Sequence, residues 1–192
     1  MTSTDRCPWC GDDPLYVSYH DTEWGVPQRD ARHLYELLIL EGFQAGLSWY
    51  TILKKRENFR SAFAEFIPET IAGWGEAEVA QLLTNPGIIR HRGKIEGTIR
   101  AARAWQEIEA RQGFANWIWS YVDGQPIQTN LRSMEDAQAK TPVSEQLSKD
   151  LKKAGFGYCG PVIAYAFMQA AGLVNDHLTS CHRHTTIAAM AG

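Results

Sequence analysis

The sequence has little excess charge and no long hydrophobic run. Its 192 residues include 19 Lys and Arg against 22 Asp and Glu, so a polyanion could bind only at a local basic patch. No apolar stretch approaches the roughly 20 residues that a membrane span needs, and the polar residues 1–5 do not resemble a secretory leader. We therefore expect a cytoplasmic, monomeric protein without a membrane partner, folded as one domain over residues 1–192.

Cysteine is also scarce, and its placement is uneven. Of four cysteines, Cys7 lies near His20 in the sequence, and Cys181 lies four residues after His177. A Cys2His2 set suits tetrahedral zinc, so one ion could join the two ends of the chain. The spacing of His177 and Cys181 puts both on one face if that segment is helical.

The same residues have an ordinary interpretation. Buried cysteines and surface histidines are common. The segment between Cys7 and His20 is loop-like and contains two prolines, so only the tertiary fold could bring these two side chains together. Cys10 also makes a CxxC pair with Cys7, and His182 and His184 crowd the other end. Spacing alone leaves zinc and the ordinary interpretation equally open.

Hydrophobic periodicity and capping residues predict an all-α fold. The predicted helices start at Asp30 and Ser48 as caps, at Pro68, and at Glu76, with a long helix carrying Ile95, Ile99 and Ile108, then a shorter one from Phe114. The helix from Ser48 is predicted to carry Ile52, Phe59, Phe63 and Phe66 on its apolar face. The polar stretch 129–142 is the only long loop predicted.

Residues 144–171 predict a helix-hairpin-helix. Ser144 can cap the first helix, Gly155 can end it, and Pro161 can open the second. Gly155, Gly157 and Gly160 let backbone N–H groups approach a phosphate closely, next to the positive end of the second helix. Lys152 and Lys153 flank the turn. An ordinary helical hairpin explains the pattern equally well.

Basic residues also cluster from residue 90 to residue 103, as Arg90, Arg92, Lys94, Arg100 and Arg103. A charge run of this kind is more often a solvated helix face than a binding surface.

Glu41 is the residue least expected from its surroundings. It follows Leu37 by four positions and Leu38 by three, so it points to the apolar face of its helix. A buried carboxylate costs free energy unless a group donates to it. Aromatic residues are dense nearby in the sequence, and aromatics beside a dry carboxylate describe a pocket for a flat cationic base, although such residues usually belong to the core.

Four motifs resemble the bacterial DNA-3-methyladenine glycosylase I family. They are YxxYHDxEWGVP at 16–27, LEGxQAGLSW at 40–49, GIIRHRGKI at 87–95 and FMQAxGLVNDH at 167–177. The resemblance runs from about residue 7 to residue 181, nearly the whole chain, and several motifs of this length in the right order are specific.

The resemblance implies a helix-hairpin-helix DNA glycosylase fold with a structural zinc clasp. The implied ligands of the single zinc ion, which join segments 7–20 and 177–181, are Cys7, His20, His177 and Cys181. The implied base-binding residues are Glu41 as the catalytic carboxylate with Tyr16, Tyr19, Trp49 and, more weakly, Trp9.

The implied reaction is base-excision repair of double-stranded alkylated DNA. The nucleotide is flipped out and 3-methyladenine is released by hydrolysis, without strand cleavage. Leu47 and Gln44 are the candidates for the residue that fills the gap left by the flipped base. Asp176 is given no catalytic role, and a structural hydrogen bond is expected of it.

Two other classes of function compete with this interpretation. A non-catalytic, zinc-clasped DNA-binding module explains the hairpin and the basic clusters but leaves Glu41 and its aromatics without a role. A zinc hydrolase needs an open coordination position, which four protein ligands do not leave.

Overall fold

The structure, a computed structural model, describes residues 5–190. Residues 1–4, on which part of the argument against a leader depends, and the last two residues of the predicted domain lie outside the described part. Among the described helices, none is both long enough and apolar enough to cross a lipid bilayer.

Ten α-helices account for most of the described chain. They are α1 (Pro14–Thr22), α2 (Ala31–Gln44), α3 (Trp49–Ala62), α4 (Pro68–Ala72), α5 (Glu76–Thr84), α6 (Arg92–Gln112), α7 (Phe114–Trp119), α8 (Pro142–Ala154), α9 (Pro161–Ala170) and α10 (His182–Ala189). Short 3-10 turns occur at Pro8–Cys10, Ala64–Phe66, Ser120–Val122 and Met134–Asp136. The mostly helical architecture confirms the predicted all-α class.

The two strands are the exception to the helical prediction. β1 (Ile127–Gln128) and β2 (Val174–Asn175) pair in parallel, with Ile127 opposite Val174. The pair is only two residues long, below the length that periodicity can detect. It ties the start of the long loop before α8 to the segment that follows α9.

Helix α2 lies at the centre of the molecule and packs against α3, α6, α7 and α9. Asp30 caps it as predicted, accepting a hydrogen bond from His33 N at 2.7 Å. Nine of its fourteen residues are buried, so the helix is apolar almost all round. The polar side chain of Glu41, in the last turns of α2, therefore lies inside the protein.

Two predicted helix ends are wrong in detail. Thr141, not Ser144, caps α8, because Pro142 favours the first helical position and places the cap one residue before it. Ser144 is buried in the first turn. Helix α3 ends before Phe63, since residues 64–66 adopt the left-handed conformation; Phe63 and Phe66 nevertheless stay fully buried.

Candidate active site and metal-binding cluster

A cavity of about 220 Å³ opens beside the end of α2. All four aromatic residues predicted for a base pocket, Trp9, Tyr16, Tyr19 and Trp49, line it together with Glu41. The ring centroids of Tyr19 and Trp49 lie 5.4 Å apart. The 3-10 turn Pro8–Cys10, helix α1 and the first residue of α3 supply the four rings, so the walls suit a flat, apolar-faced ligand.

The carboxyl group of Glu41 is buried in this cavity without compensation. The residue is 3% exposed, and its Oε2 has no hydrogen-bond partner. Burial raises the pKa of Glu41 from 4.5 to about 8. A buried carboxyl group without a hydrogen-bond donor destabilises the fold. Destabilising groups of this kind are characteristic of functional sites.

Lys94 holds the turn that follows Glu41. Its Nζ donates to the carbonyl oxygens of Phe43 and Ala45 at 2.9 and 2.7 Å. Burial lowers the pKa of Lys94, and the ammonium group satisfies carbonyls that the end of α2 leaves free. This lysine is therefore structural, contrary to its place in the predicted basic cluster.

Two arginines of the same cluster are also engaged within the protein. Arg92 forms an ion pair with Glu76 at 2.9 Å, and Arg103 donates to the carbonyl oxygens of Ala72 and Trp74. Helix capping and interhelical contacts occupy these charged groups. Residues 90–103 are therefore less suited to bind a polyanion than their sequence indicates.

The far wall of the cavity contains a second carboxylate, that of Asp176. It is 5% exposed and accepts hydrogen bonds from Thr129 Oγ1, Tyr165 Oη and Gln169 Nε2 at 2.7, 2.8 and 2.7 Å. Thr129 begins the long loop before α8, so Asp176 anchors that loop. The hydrogen-bonding role predicted for Asp176 is confirmed, and the group contrasts with the unsatisfied Glu41.

The predicted metal ligands meet in one buried cluster. Cys7, His20, His177 and Cys181 are all buried, and their ligand atoms lie within 4.8 Å of one another. Cys181 Sγ is 3.5 Å from His20 Nε2 and 3.6 Å from His177 Nδ1. Two ligands at bond lengths of about 2.3 and 2.0 Å in a tetrahedral site are separated by roughly 3.5 Å. The cluster could therefore hold a metal ion.

Each of the two histidines forms a hydrogen bond outside the cluster with one ring nitrogen. The other ring nitrogen, which faces the thiols, is available to bind a metal ion. His177 Nε2 lies 3.1 Å from the carbonyl oxygen of Trp24, which can only accept, so Nε2 carries the proton and Nδ1 faces the thiols. His20 Nδ1 lies 2.8 Å from Oδ1 of Asp21, so by the same argument Nδ1 carries the proton and Nε2 faces the thiols. Arg6 holds the pKa of Asp21 at about 2, which keeps this carboxylate charged. Such partners typically orient metal-binding imidazoles.

The local backbone of the cluster differs from the prediction in one respect. His177 and Cys181 do not share a helix: the segment between them is a loop and a turn, and Cys181 is the N-cap of α10. Gly25 lies against this segment with φ of +81°, and a side chain there would contact His177 at 3.1 Å. Tertiary packing, rather than helical spacing, brings the ligands together.

The cluster and the cavity share walls. His20 follows Tyr19 directly in α1, and Trp9 packs edge-on against His20 with centroids 5.2 Å apart. Leu131 packs against Cys7 and Cys181 and also lines the cavity. The carbonyl oxygen of Leu131 accepts a hydrogen bond from Thr179, between the two C-terminal ligands. Ordering of the cluster therefore fixes both sides of the cavity.

Helices α8 and α9 form the hairpin predicted from the glycines. Gly155 ends α8 with φ of +111°, and Ser148 Oγ donates to the carbonyl oxygen of Cys159 at 2.6 Å, which fixes the turn. Gly160 precedes α9, and a side chain there would meet no protein atom within 4 Å. Lys152 and Lys153 are exposed in the last turn of α8. The turn thus places its glycines beside two cations, while the N–H groups of Gly155 and Phe156 are bonded to carbonyl oxygens of α8.

The motifs and the site agree with the comparison to known families. The family model described as methyladenine glycosylase matches residues 9–184. This chain belongs to the methyladenine glycosylase family.

Individual relatives of this methyladenine glycosylase support the assignment along nearly the whole chain. The DNA-3-methyladenine glycosylase 1 of Escherichia coli (strain K12) is 49% identical over 178 residues, which cover 92% of this chain and 95% of the relative. A crystal structure of a 3-methyladenine DNA glycosylase I matches with a TM-score of 0.92 at 54% identity, covering 94% of this chain and 100% of its own.

A third relative concerns base recognition. The 3-methyladenine DNA glycosylase I of Staphylococcus aureus, solved to explain how it recognises 3-methyladenine, matches with a TM-score of 0.90 at 40% identity. It covers 93% of this chain and 96% of its own. These likenesses confirm the family predicted from the four motifs.

The remaining cavity residues of this methyladenine glycosylase lay outside the sequence prediction. The loop before α8 contributes Leu131, Met134 and Ala137, and α9 contributes Ala166 and Gln169. The loop carries no periodicity, so no local signal assigns its side chains to the cavity. Of the two candidates for filling a gap in DNA, Leu47 is 46% exposed on the turn between Gln44 and α3, whereas Gln44 itself lies on the cavity wall.

Proposed function

We propose that this protein excises 3-methyladenine from alkylated DNA by hydrolysing the N-glycosidic bond of a flipped nucleotide. The observation that carries the proposal is the unsatisfied carboxyl of Glu41 in an aromatic cavity. Methylation at N3 gives adenine a positive charge, and a lone buried carboxylate favours this cation over neutral adenine. A non-catalytic DNA-binding module has no use for such a cavity.

The charge of the substrate decides how the catalytic groups act. The cationic base is already a good leaving group and needs no proton from an acid, so the enzyme must hold the base and admit water to the sugar. Glu41 accepts a hydrogen bond from the exocyclic amine, and the nearby cation restores its ionisation by lowering the raised pKa. Tyr19 and Trp49 stack on the base, while Tyr16 and Trp9 complete the aromatic wall.

The reaction stops at the free base and an abasic site. A bifunctional lyase needs an amine that forms a Schiff base with the sugar, and the part of the chain that the structure describes places no lysine on the cavity wall. Lys94, which reaches the end of α2, is held by two backbone carbonyls. The product strand is therefore left unbroken.

We further propose zinc as the metal of the Cys/His cluster, with Cys7, His20, His177 and Cys181 as its four ligands. The donor set, the ligand distances and the engaged outer nitrogens of both histidines support this choice. Zinc in such a site supplies a crosslink between the ends of the fold. Four protein ligands leave no position for a reactive water, so the cluster takes no part in the hydrolysis.

DNA docks through the α8–α9 hairpin in this proposal, as in a helix-hairpin-helix glycosylase fold. Gly155, Gly157 and Gly160 allow backbone N–H groups to contact a phosphate, and the open space at Gly160 supports close approach of a partner. Leu47, exposed on the turn between α2 and α3, fills the gap left by the flipped base. In this proposal the enzyme acts on double-stranded DNA as a monomer and as a single glycosylase domain.

Charge reversal at the hairpin should weaken binding to DNA of any sequence. Phosphate contacts carry affinity without reading bases, so Lys152→Glu with Lys153→Glu should lower affinity by at least tenfold and flatten its dependence on salt. Binding to duplexes of two unrelated sequences, measured between low and physiological salt, checks this result. The matched Lys152→Gln with Lys153→Gln variant should fall between the wild type and the reversal. Unchanged affinity in the reversed variant would place the interface elsewhere.

The reaction itself is tested by incubating purified protein with methylated double-stranded DNA and identifying the released base. Free 3-methyladenine should accumulate while the strands remain intact, and borohydride should trap no protein–DNA adduct. Release of no base, or a trapped adduct, contradicts the proposed hydrolysis.

A further inference from the structure

Three buried polar atoms without partners belong to one cavity. Glu41 Oε2, Gln44 Oε1 and Trp49 Nε1 are inaccessible to solvent and make no hydrogen bond, and all three residues line the cavity beside α2. Buried polar atoms are almost always paired, since each unpaired atom costs free energy. Three such atoms on one wall indicate that a bound molecule supplies their partners.

The chemistry of the three atoms restricts that molecule. Glu41 and Gln44 are three residues apart in the last turn of α2, so their side chains project from the same face, with Cβ atoms roughly 5–6 Å apart. Two acceptor oxygens at this spacing can each receive one hydrogen of a single NH2 group. The indole N–H of Trp49 can only donate, so it requires an acceptor. The three atoms therefore match a ligand that carries an amino group next to a hydrogen-bond acceptor.

Adenine presents this pattern, and guanine does not. The exocyclic amine of adenine carries two hydrogens next to an acceptor ring nitrogen, whereas guanine has an acceptor oxygen in place of the amine. An oxygen opposite Glu41 and Gln44 would face two acceptors in a dry site and leave both of them unpaired. A site built to hydrogen-bond a group rejects an analogue without that group strongly.

We infer that Gln44 is a specificity-determining residue whose side-chain oxygen accepts the second amine hydrogen of the flipped base, together with Glu41. This inference rests on the proposed glycosylase function and extends it: the enzyme prefers 3-methyladenine over 3-methylguanine because of this second acceptor. Gln44 then reads the base rather than filling the gap in the DNA, a task that falls to the exposed Leu47.

The test compares two lesions in one substrate. Gln44→Met keeps the length of the side chain and removes its oxygen, so excision of 3-methyladenine should fall roughly tenfold to a hundredfold. Excision of 3-methylguanine from the same methylated DNA should stay constant or rise. The preference for 3-methyladenine should therefore shrink at least tenfold. Gln112→Met, an exposed change at the end of α6, serves as the matched control and should leave both rates unchanged.

The opposite outcomes are equally clear. An equal fall in both rates, as a structural or gap-filling role would produce, overturns the inference, and so does an unchanged preference. Should Gln44→Met fail to fold, the wild type decides: similar excision rates for the two lesions exclude a wall that selects the amine. A wild type that releases no 3-methyladenine contradicts the proposed function instead, which keeps the two failures distinguishable.

Discussion

Glu41→Gln should lower the rate of 3-methyladenine excision by roughly tenfold to a hundredfold or more. The amide keeps the shape of the side chain but removes the charge that a cationic base requires, and a hydrogen bond to a charged group contributes about 1.5–3 kcal/mol. Single-turnover release of the base from methylated DNA measures the effect. Affinity for DNA should stay close to that of the wild type, because phosphate contacts lie at the hairpin.

Glu107→Gln provides the control for this substitution, since it makes the same chemical change on an exposed residue of α6. It should leave excision unaltered. Excision by Glu41→Gln at the wild-type rate would show that the buried carboxylate is not the catalytic group.

The same Glu41→Gln variant should be more stable than the wild type at alkaline pH. Because burial raises the pKa of Glu41 from 4.5 to about 8, the folded state holds its proton more tightly than the unfolded state. This contribution is fully present below pH 4.5 and is lost as the pH rises to about 8. The wild type should therefore lose on the order of 3–5 kcal/mol relative to Glu41→Gln across this range. Urea denaturation of both proteins at pH 4.5 and pH 8.5 measures the difference.

Loss of the metal should loosen both ends of the chain. The purified protein should contain about one zinc per chain, and Cys7→Ser or Cys181→Ser should lower the free energy of unfolding by several kcal/mol, because metal-binding energy is folding energy in such sites. A change of that size corresponds to a fall in Tm of roughly 10 °C for a chain of this length. Excision should fall too, since Tyr19 and Leu131 lose their supports.

Cys10→Ser is the matched control for the metal prediction. Cys10 is also buried, and its Sγ donates to the carbonyl oxygen of Cys7, a bond that a serine hydroxyl can replace. Zinc content should stay near one per chain in this variant. Full stability of the wild type after removal of the metal by a chelator would rule out the structural role.

The helical part of the fold could be predicted because its signals are local. Asp30 and Ser48 accept hydrogen bonds from the first backbone N–H groups of their helices, and Gly155 ends α8 in the left-handed region. Ser144 misled the prediction, because Thr141 and Pro142 form an equally good start three residues earlier. Local chemistry identifies a helix end but does not choose between neighbouring candidates.

Only the side of the cavity that is formed by helices with a regular hydrophobic pattern could be predicted from the sequence. Glu41 was recognisable because it occupies an apolar position of α2. The opposite wall comes from the irregular loop before α8 and from residues near Asp176, which reach the cavity through long-range pairing of β1 with β2. Lys94 shows the converse: its charge predicted a solvated position, but the backbone carbonyls of Phe43 and Ala45, at the end of α2, bind it in the interior.

The Cys/His cluster also sets the order in which the chain can fold. Cys7 and His177 are 170 positions apart, and closing so long a segment costs entropy that only the finished helical core offsets. During synthesis the N-terminal ligands leave the ribosome first and wait until the last segment emerges. With the proposed zinc in this cluster, we expect capture of the ion to come late in maturation, because a nascent chain carries only the Cys7 and His20 ligands until the C-terminal pair emerges.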